Sequence, residues 1–384
     1  MIARRVGRVY NRPFRTFNMG LRRAGTAIGK LHRFIAGTYQ RRLYNRRLWN
    51  PLLPGLEAEI AHGLWRRAAE SLHLPVARCG PLLTMGDAQG MCIRVMDHAV
   101  SIESVVAYYV CGDKVLTSTL LRDAGVSVPL GRSFSYAQAD EAVRYALDMG
   151  RPCVTKPARG TGSSFGVSLD LKAEKEIRRG FASAALFCDE VMVEQYVPGN
   201  PYRFLVFRGK CLSVTRRDIA GIAGNGTDSI RALVESENST RIRNYSWSPG
   251  QRVLMAIPTD PRAGETLARQ GLSWDSVLEK GRGVAMYPQS EFQFGATYHE
   301  AMDEVHPRAI AAAELAARTT GAVLAGVDLL CPDPQSGEYC VNEVNTTPGI
   351  WLHYAMDRGG KDPLRSILVS ELGAPAPDAA LVAG

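Results

Sequence analysis

The first fifty residues of this 384-residue chain contain no aspartate and no glutamate. Thirteen of its 46 basic residues fall there, so the remainder carries 33 basic against 38 acidic side chains, and the net charge of +8 resides in that segment. The body is slightly acidic, so the overall charge does not mark its centre as a binder of polyanions. Also missing is any apolar run near the ~20 residues that span a bilayer, and the first turns are too arginine-rich for a secretory signal. A cytoplasmic location is the expectation. None of the eight cysteines (Cys79, Cys92, Cys111, Cys153, Cys188, Cys211, Cys331, Cys340) forms a C-x-x-C pair, so neither a zinc site nor a disulfide framework is signalled. Reduced, packed thiols are expected, with Cys153 a strand residue and not a nucleophile. No internal repeat is present.

What remains is a chain with 46% hydrophobic residues, long enough for two or three packed units. In residues 1–50, Phe14, Phe17, Leu21, Ile28, Leu31 and Ile35 recur at helical spacing among arginines and lysines, the pattern of a basic amphipathic helix. Gly20, Gly25 and Gly29 each cost such a helix about 1 kcal/mol relative to alanine. Three readings stand for this extension: docking on the protein's own body or a second subunit, contact with an anionic surface, or an organelle-targeting segment. Residues 51–112 read as a small α/β domain, with a helix over EIAHGLWRRAAESLHL and short strands around Pro81 to Val95. A larger unit spans 113–372, and the Ala/Pro-rich residues 373–384 read as a disordered tail.

Within the larger unit the pattern predicts a helix from Asp113 to Gly125, a strand through Val126 and Val128, a helix over Ala137 to Met149, a hairpin turning at Gly209 and an alanine-rich helix from Pro307 to Thr320. Antiparallel hairpins interleaved with helices indicate an α+β fold of mixed α/β layers.

In VTKPARGTGSSFGVSLDL, a strand bearing Lys156 runs into a loop with Gly160, Gly162 and Gly166 around Ser163 and Ser164. Glycines bring backbone N–H groups close to phosphate oxygens, serines add donors and the lysine adds a compact charge. The lysine precedes the glycines and no helix follows at once, which excludes a Walker loop. Nucleotide binding and a flexible hairpin beside a surface lysine both fit this segment alone. Further on, Glu343 and Asn345 stand two apart on one strand and share a face, with Asp328 on a neighbouring strand. Two carboxylates and an amide oxygen suit magnesium. The competing reading pairs one carboxylate with an arginine such as Arg358.

Taken together, these motifs resemble the ATP-grasp ligases from Asp113 to about Gly360, most closely the ATP-grasp domain of cyanophycin synthetase and related glutathione-forming ligases; they are also similar to D-alanine–D-alanine ligase. RGKCLSVTRRDIAGIAGNGTDSIRALVESEN, LARQGLSWDSVLEKGRGV and DEVHPRAIAAAELAARTTGAVLAGVDLLCPD carry the likeness, which covers about two thirds of the chain. The resemblance implies an ATP-grasp fold divided into 113–200, with the phosphate loop, and 201–372, with the metal hairpin. It also implies ATP and Mg2+, with Mn2+ as an alternative ion. Lys114 and Lys156 would hold ATP phosphates, and Gly162, Ser163 and Ser164 would close over them. Glu194 would contact adenine, and the backbone of Gln195, Tyr196 and Val197 would form the interdomain hinge edge of the nucleotide site. Asp328, Glu343 and Asn345 would carry the metal, and Arg216 and Arg217 would stabilise an acyl phosphate or oxyanion.

Two positions depart from the pattern. Asn200 and Pro201 stand where relatives often place an acidic ribose contact. Gly326 stands where D-alanine–D-alanine ligase has an arginine, which shifts the oxyanion role to Arg216 or Arg217 and favours the cyanophycin-like branch. The Mur-ligase-like half of cyanophycin synthetase is not expected here. The implied function is ADP-forming ligation of a carboxylate to an amine of amino acids or peptides. An ATP-binding scaffold without ligase activity and a ligase acting on a macromolecular acceptor are the alternatives, and a homo-oligomer is one expectation. His353 reads equally as an acceptor-pocket or a packing residue, His299 and His306 as surface or loop residues. Trp247, Trp274 and Tyr287 either shape a substrate pocket or pack an insertion.

Overall fold

A computed structural model describes residues 53–86, 90–162, 164–241, 254–354 and 362–373. Residues 1–50, Ser163, Trp247, Arg358 and the tail from 374 lie outside the described residues. Helix α1 (Leu53–Ser71) covers an antiparallel meander of β1 (Val76–Cys79), β2 (Leu82–Gly86), β3 (Cys92–Met96) and β4 (Ala99–Val100). Strand alternation sends Leu83, Met85, Ile93 and Val95 to one face, where they meet Leu64, Trp65 and Ala68 of α1. Two helices follow, α2 (Val105–Cys111) and α3 (Lys114–Asp123). Asp113 starts α3 by accepting the Val115 and Leu116 amides, which would otherwise lack partners. The strand expected through Val126 and Val128 does not form. Pro129 supplies no N–H to a ladder, and pairing begins only at β5 (Gly131–Ser135).

After α4 (Ala139–Asp148), β6 (Cys153–Pro157) and β7 (Ser168–Leu171), helix α5 (Glu174–Ala185) leads to β8 (Glu190–Gln195). These strands make an antiparallel sheet in the order β5-β8-β6-β7, with Ala142, Ala146, Ile177 and Phe181 of the two helices packed on one face. Cys153 lies buried in β6, where burial pushes its thiol up to about 11, too high for a nucleophile at neutral pH. The eight cysteines are all free thiols.

The next hairpin joins β9 (Asn200–Phe207) to β10 (Lys210–Asp218) through Arg208 and Gly209, both at positive φ, +48° and +72°, as a two-residue hairpin turn requires. An insertion follows, with β11 (Gly221–Ala223), α6 (Ile230–Arg241), α7 (Pro261–Arg269) and β12 (Gly283–Ala285) around its own small core. Trp274 and Tyr287 pack this insertion: Tyr287 stacks on Phe294 with ring centres 4.3 Å apart, and Arg231 lies over Trp274. Then β13 (Thr297–Glu300), α8 (Pro307–Thr320), β14 (Leu324–Cys331) and β15 (Cys340–Asn345) complete a five-stranded antiparallel sheet, β13-β10-β9-β14-β15. His306 caps α8 through Nδ1, which accepts the Arg308 amide. Ala309, Ala312, Ala313, Ala316 and Ala317 form one helical stripe against the sheet, small enough for close approach.

Finally α9 (Pro363–Leu372) returns to the N-terminal unit and packs Leu364, Ile367 and Leu368 against α1. The N-terminal core thus contains residues from both ends of the described chain. Helix α2, by contrast, buries Ala107 and Cys111 with α8 and β15, in the core of the larger unit. No helix of the described residues is long and apolar enough to cross a membrane.

Candidate active site

A cleft of about 1010 Å3 opens between the β5-β8-β6-β7 sheet and the five-stranded sheet. From the first sheet come Lys156 and Glu194, facing the same side of adjacent strands because Val154 of β6 pairs with Glu194 of β8. Lys156 Nζ lies 2.6 Å from Glu194 Oε1, and both residues are buried. Glu194 Oε2 is buried without a partner, as is Thr155 Oγ1. A buried polar atom left unpaired costs about 1–3 kcal/mol; Thr155 Oγ1 faces Gly180 of α5 on the other side of the sheet, whereas Glu194 Oε2 belongs to a cleft-lining residue and marks a place where a ligand supplies the missing bond. At the end of β8, the Gln195 and Tyr196 amides are committed to the Leu130 and Pro152 carbonyls, while Val197 lines the cleft.

The loop after β6 turns at Gly160 and Gly166, with φ of +74° and +76°, and Ser164 also takes a positive φ of +58°. A Cβ on Gly166 would meet Phe187 at 2.7 Å and Pro157 at 2.9 Å, so both space and φ demand glycine there. Gly162 borders the cleft with open space around it. Lys114, the first residue of α3, reaches in from the side: its Nζ lies 3.3 Å from the Thr161 carbonyl and 2.9 Å from Glu343 Oε1.

The second sheet contributes one face. Register sets Thr215, Arg203, Asp328 and Glu343 side by side across β10, β9, β14 and β15, with Gly326 opposite Asn345 one step along. Asp328 is 4% exposed and held by Arg203 in a fork, Nε to Oδ1 at 2.6 Å and Nη2 to Oδ2 at 2.9 Å. Burial would raise its carboxyl, but the charges of Arg203 and Arg217 outweigh that and hold it below the usual carboxylate range. Asn345 Nδ2 stands 3.4 Å from Asp328 Oδ2. Thus the three expected metal donors share one face of the sheet, and the arginine that grips Asp328 is Arg203, a residue outside the expected set. Its guanidinium fills the space beside Gly326: a Cβ there would lie 2.9 Å from Arg203 Nη1.

The paired arginines separate, since adjacent strand residues point to opposite faces. Arg217 joins the face of Asp328. Its side chain is 9% exposed, its nearest carboxylates are Asp328 at 3.4 Å and Glu291 at 3.9 Å, and its Nε is buried without a partner. Arg216 goes the other way and is saturated at the rim by Asp218 at 2.9 Å and Glu304 at 2.5 Å, where His299 also meets Asp218 at 3.3 Å. The insertion sends Glu291 into the cleft, where it accepts a hydrogen bond from Ser164 Oγ at 3.0 Å. The N-terminal unit adds Glu57 and His98, and Trp351 closes the wall. Glu291 lies in a stretch with no periodicity, and nothing in the sequence marks it. Arg203 did carry a signal, a charge inside the apolar strand YRFLVF.

His353 proves to be a packing residue beneath this face. Its Nδ1 lies 3.0 Å from Ser213 Oγ and 3.1 Å from Thr215 Oγ1, and burial, reinforced by the Arg203 charge, pushes its pKa down to about 3. The folded chain therefore keeps this ring neutral while the unfolded chain protonates it near 6.5. Stability is unaffected above that pH, falls by up to about 1.4 kcal/mol per pH unit below it, and levels off near 3. Urea midpoints measured from pH 7.5 to 4.5 should fall less steeply in His353→Gln than in the parent; equal slopes would assign the acid sensitivity elsewhere.

No family model matches the chain. It is 34% identical over 254 residues to cyanophycin synthetase of Geminocystis herdmanii, covering 64% of this chain and 28% of that protein. It is 30% identical over 268 residues to the glutathione biosynthesis bifunctional protein GshAB of Mannheimia succiniciproducens, covering 67% and 34%. In structure it is similar to a bifunctional glutathione synthetase from Pasteurella multocida, with a TM-score of 0.54, 24% identity, and coverage of 79% and 43%. The chain spans about a third of the length of the curated relatives it matches.

Proposed function

We propose, from the ATP-grasp fold that this chain shares with those relatives, that it is an ATP-dependent carboxylate–amine ligase. It would form an amide between amino acids or peptides through an acyl phosphate and release ADP and phosphate. The observation that carries this reading is Arg217: a buried guanidinium with an unpartnered Nε, on the same face as two carboxylates and opposite two lysines. A donor so placed, with nothing to bond, suits an anion that appears only when substrates are bound.

Lys114 and Lys156 would bind the ATP phosphates, exchanging their present carboxylate partners for phosphate oxygens, with Gly162, Ser163 and Ser164 folding over them. Glu194 Oε2, unpaired and buried, would accept the adenine amino group, and the backbone at Gln195 to Val197 would border the ring. Hard oxygens of Asp328, Glu343 and Asn345 fit magnesium, or manganese, and Arg203 and Lys114 lie against two of the same groups, Asp328 and Glu343. The metal, when bound, neutralises the phosphate oxygens. Arg217 would hold the oxygen of the carboxylate that attacks the γ-phosphorus, and then the oxyanion formed when the amine adds to the acyl phosphate. Arg216, bound by two carboxylates, would act from the rim if at all.

Purified protein incubated with Mg-ATP and a mixed pool of amino acids and dipeptides should release ADP and phosphate, together with a new amide found by mass. Neither a carboxylate nor an amine component alone should suffice. Release of AMP and pyrophosphate would overturn this reading.

A further inference from the structure

We infer that Glu291 is the group that takes the proton from the acceptor amine, an inference that rests on the ligase reading above. An amine arrives as an ammonium at neutral pH and attacks only after losing a proton, so a proton acceptor must lie near the reacting carbonyl, and a carboxylate with a free lone pair meets that need. Of the seven carboxylates that line the cleft among the described residues, five hold a lysine or arginine at 2.9 Å or less. A carboxylate so compensated is a weak proton acceptor. Two are not so held, Glu57, whose partner is His98 at 3.9 Å, and Glu291, whose nearest cation is Arg217 at 3.9 Å.

Position separates the two. Glu291 lies between Ser164 of the phosphate loop and Arg217, the two groups that would border the acyl phosphate on either side. Glu57 sits on α1, in the N-terminal wall with His98. The charged and titratable groups around Glu291 are Arg217 of β10 and Tyr298 of β13, which is fully buried and holds its proton because burial and the Glu291 charge push it far above its ordinary value. Tyr298 therefore does not compete as a base. Glu291 Oε1 is occupied by the Ser164 hydroxyl. When that hydroxyl turns to a nucleotide phosphate, the oxygen is released, so the base becomes available once ATP is in place.

In the step itself, the ammonium gives one proton to the Glu291 carboxylate, and the freed lone pair attacks the acyl carbon. The C–N bond forms first, sending the carbonyl electron pair onto the oxygen as the oxyanion beside Arg217; as that oxyanion collapses, the bond from the acyl carbon to the bridging oxygen breaks and its electron pair leaves on phosphate. The second amine proton departs with that phosphate, and Glu291 returns its proton to solvent.

The test uses the full chain as parent and as Glu291→Gln, with Mg-ATP, the same pool of amino acids and dipeptides, and two assays. In one the pool supplies the amine. In the other hydroxylamine, largely unprotonated at neutral pH, captures the acyl phosphate as a hydroxamate. The expected result is amide formation at pH 7 reduced by about 10²–10⁴-fold in Glu291→Gln, a loss that shrinks toward pH 9, with hydroxamate formation close to the parent's. Equal loss in both assays, or no loss with the amine, would overturn the inference; hydroxamate formation also reports that the variant is folded. A parent that makes neither product would defeat the ligase reading itself, and this inference with it.

Discussion

Arg217→Met is expected to lower kcat by about 10²–10³-fold, the usual effect of removing one donor from a developing oxyanion. Methionine keeps most of the aliphatic volume of the side chain, so the packing beneath β10 should survive. Asp328 keeps its fork from Arg203, so its buried charge is not abandoned. ATP affinity, measured by calorimetry without a carboxylate substrate, should change little, because Arg217 makes no short contact with either lysine or with Glu194. A fall in kcat with unchanged nucleotide affinity is the signature of an interaction made in the transition state. The companion variant Arg216→Met leaves Asp218 and Glu304 without their cation, yet should reduce kcat far less. If the two arginine variants lose activity equally, the separation of their faces has no catalytic meaning.

That separation shows how far the sequence could be read. Period-2 spacing placed Glu343 and Asn345 on one face, and the Gly209 turn, the Asp113 helix start and the helix from Pro307 to Thr320 were all legible from local chemistry. The same alternation separates Arg216 from Arg217, but which of them faces the site depends on β10 pairing with β9 and β13, and pairing is not written in either strand. Arg203 lies 125 positions from Asp328 and meets it only through sheet register. Glu291 is harder still. It reaches the cleft on a segment held by Phe292 against Trp351 and by Phe294 against Tyr287, and a loop shaped by such packing leaves no periodic trace. The strand expected through Val126 and Val128 failed for a local reason, the missing N–H of Pro129. The shared limit is that residues were placed on faces, whereas the site is made where faces from different sheets meet.

Arg203→Met is expected to be the most destabilising substitution on this face. Both partners of the pair are nearly buried, with side chains 10% and 6% exposed. Losing the guanidinium leaves the Asp328 carboxylate with Arg217 at 3.4 Å and the Asn345 amide at 3.4 Å, contacts too long to replace two bonds of 2.6 and 2.9 Å. Removing one partner of a buried ion pair typically costs about 3–5 kcal/mol, and urea unfolding in a magnesium-free buffer should show a loss of that size. Arg203→Met combined with Asp328→Leu should recover only part of it: a buried pair replaced by apolar groups of similar volume is often neutral, but the buried Arg217 then keeps only Glu291, at 3.9 Å, as a carboxylate neighbour. Magnesium supplies the sharper comparison. A ligand that binds only the folded chain raises stability in proportion to its affinity, and in Arg203→Met the cation meets a carboxylate no longer neutralised by an arginine. Added Mg2+ should therefore raise the unfolding midpoint of Arg203→Met more than that of the parent, and should leave the double variant, which has no carboxylate at 328, nearly unmoved. An equal response in parent and Arg203→Met would mean that Arg203 and the metal do not contend for Asp328, and that the fork persists while metal is bound.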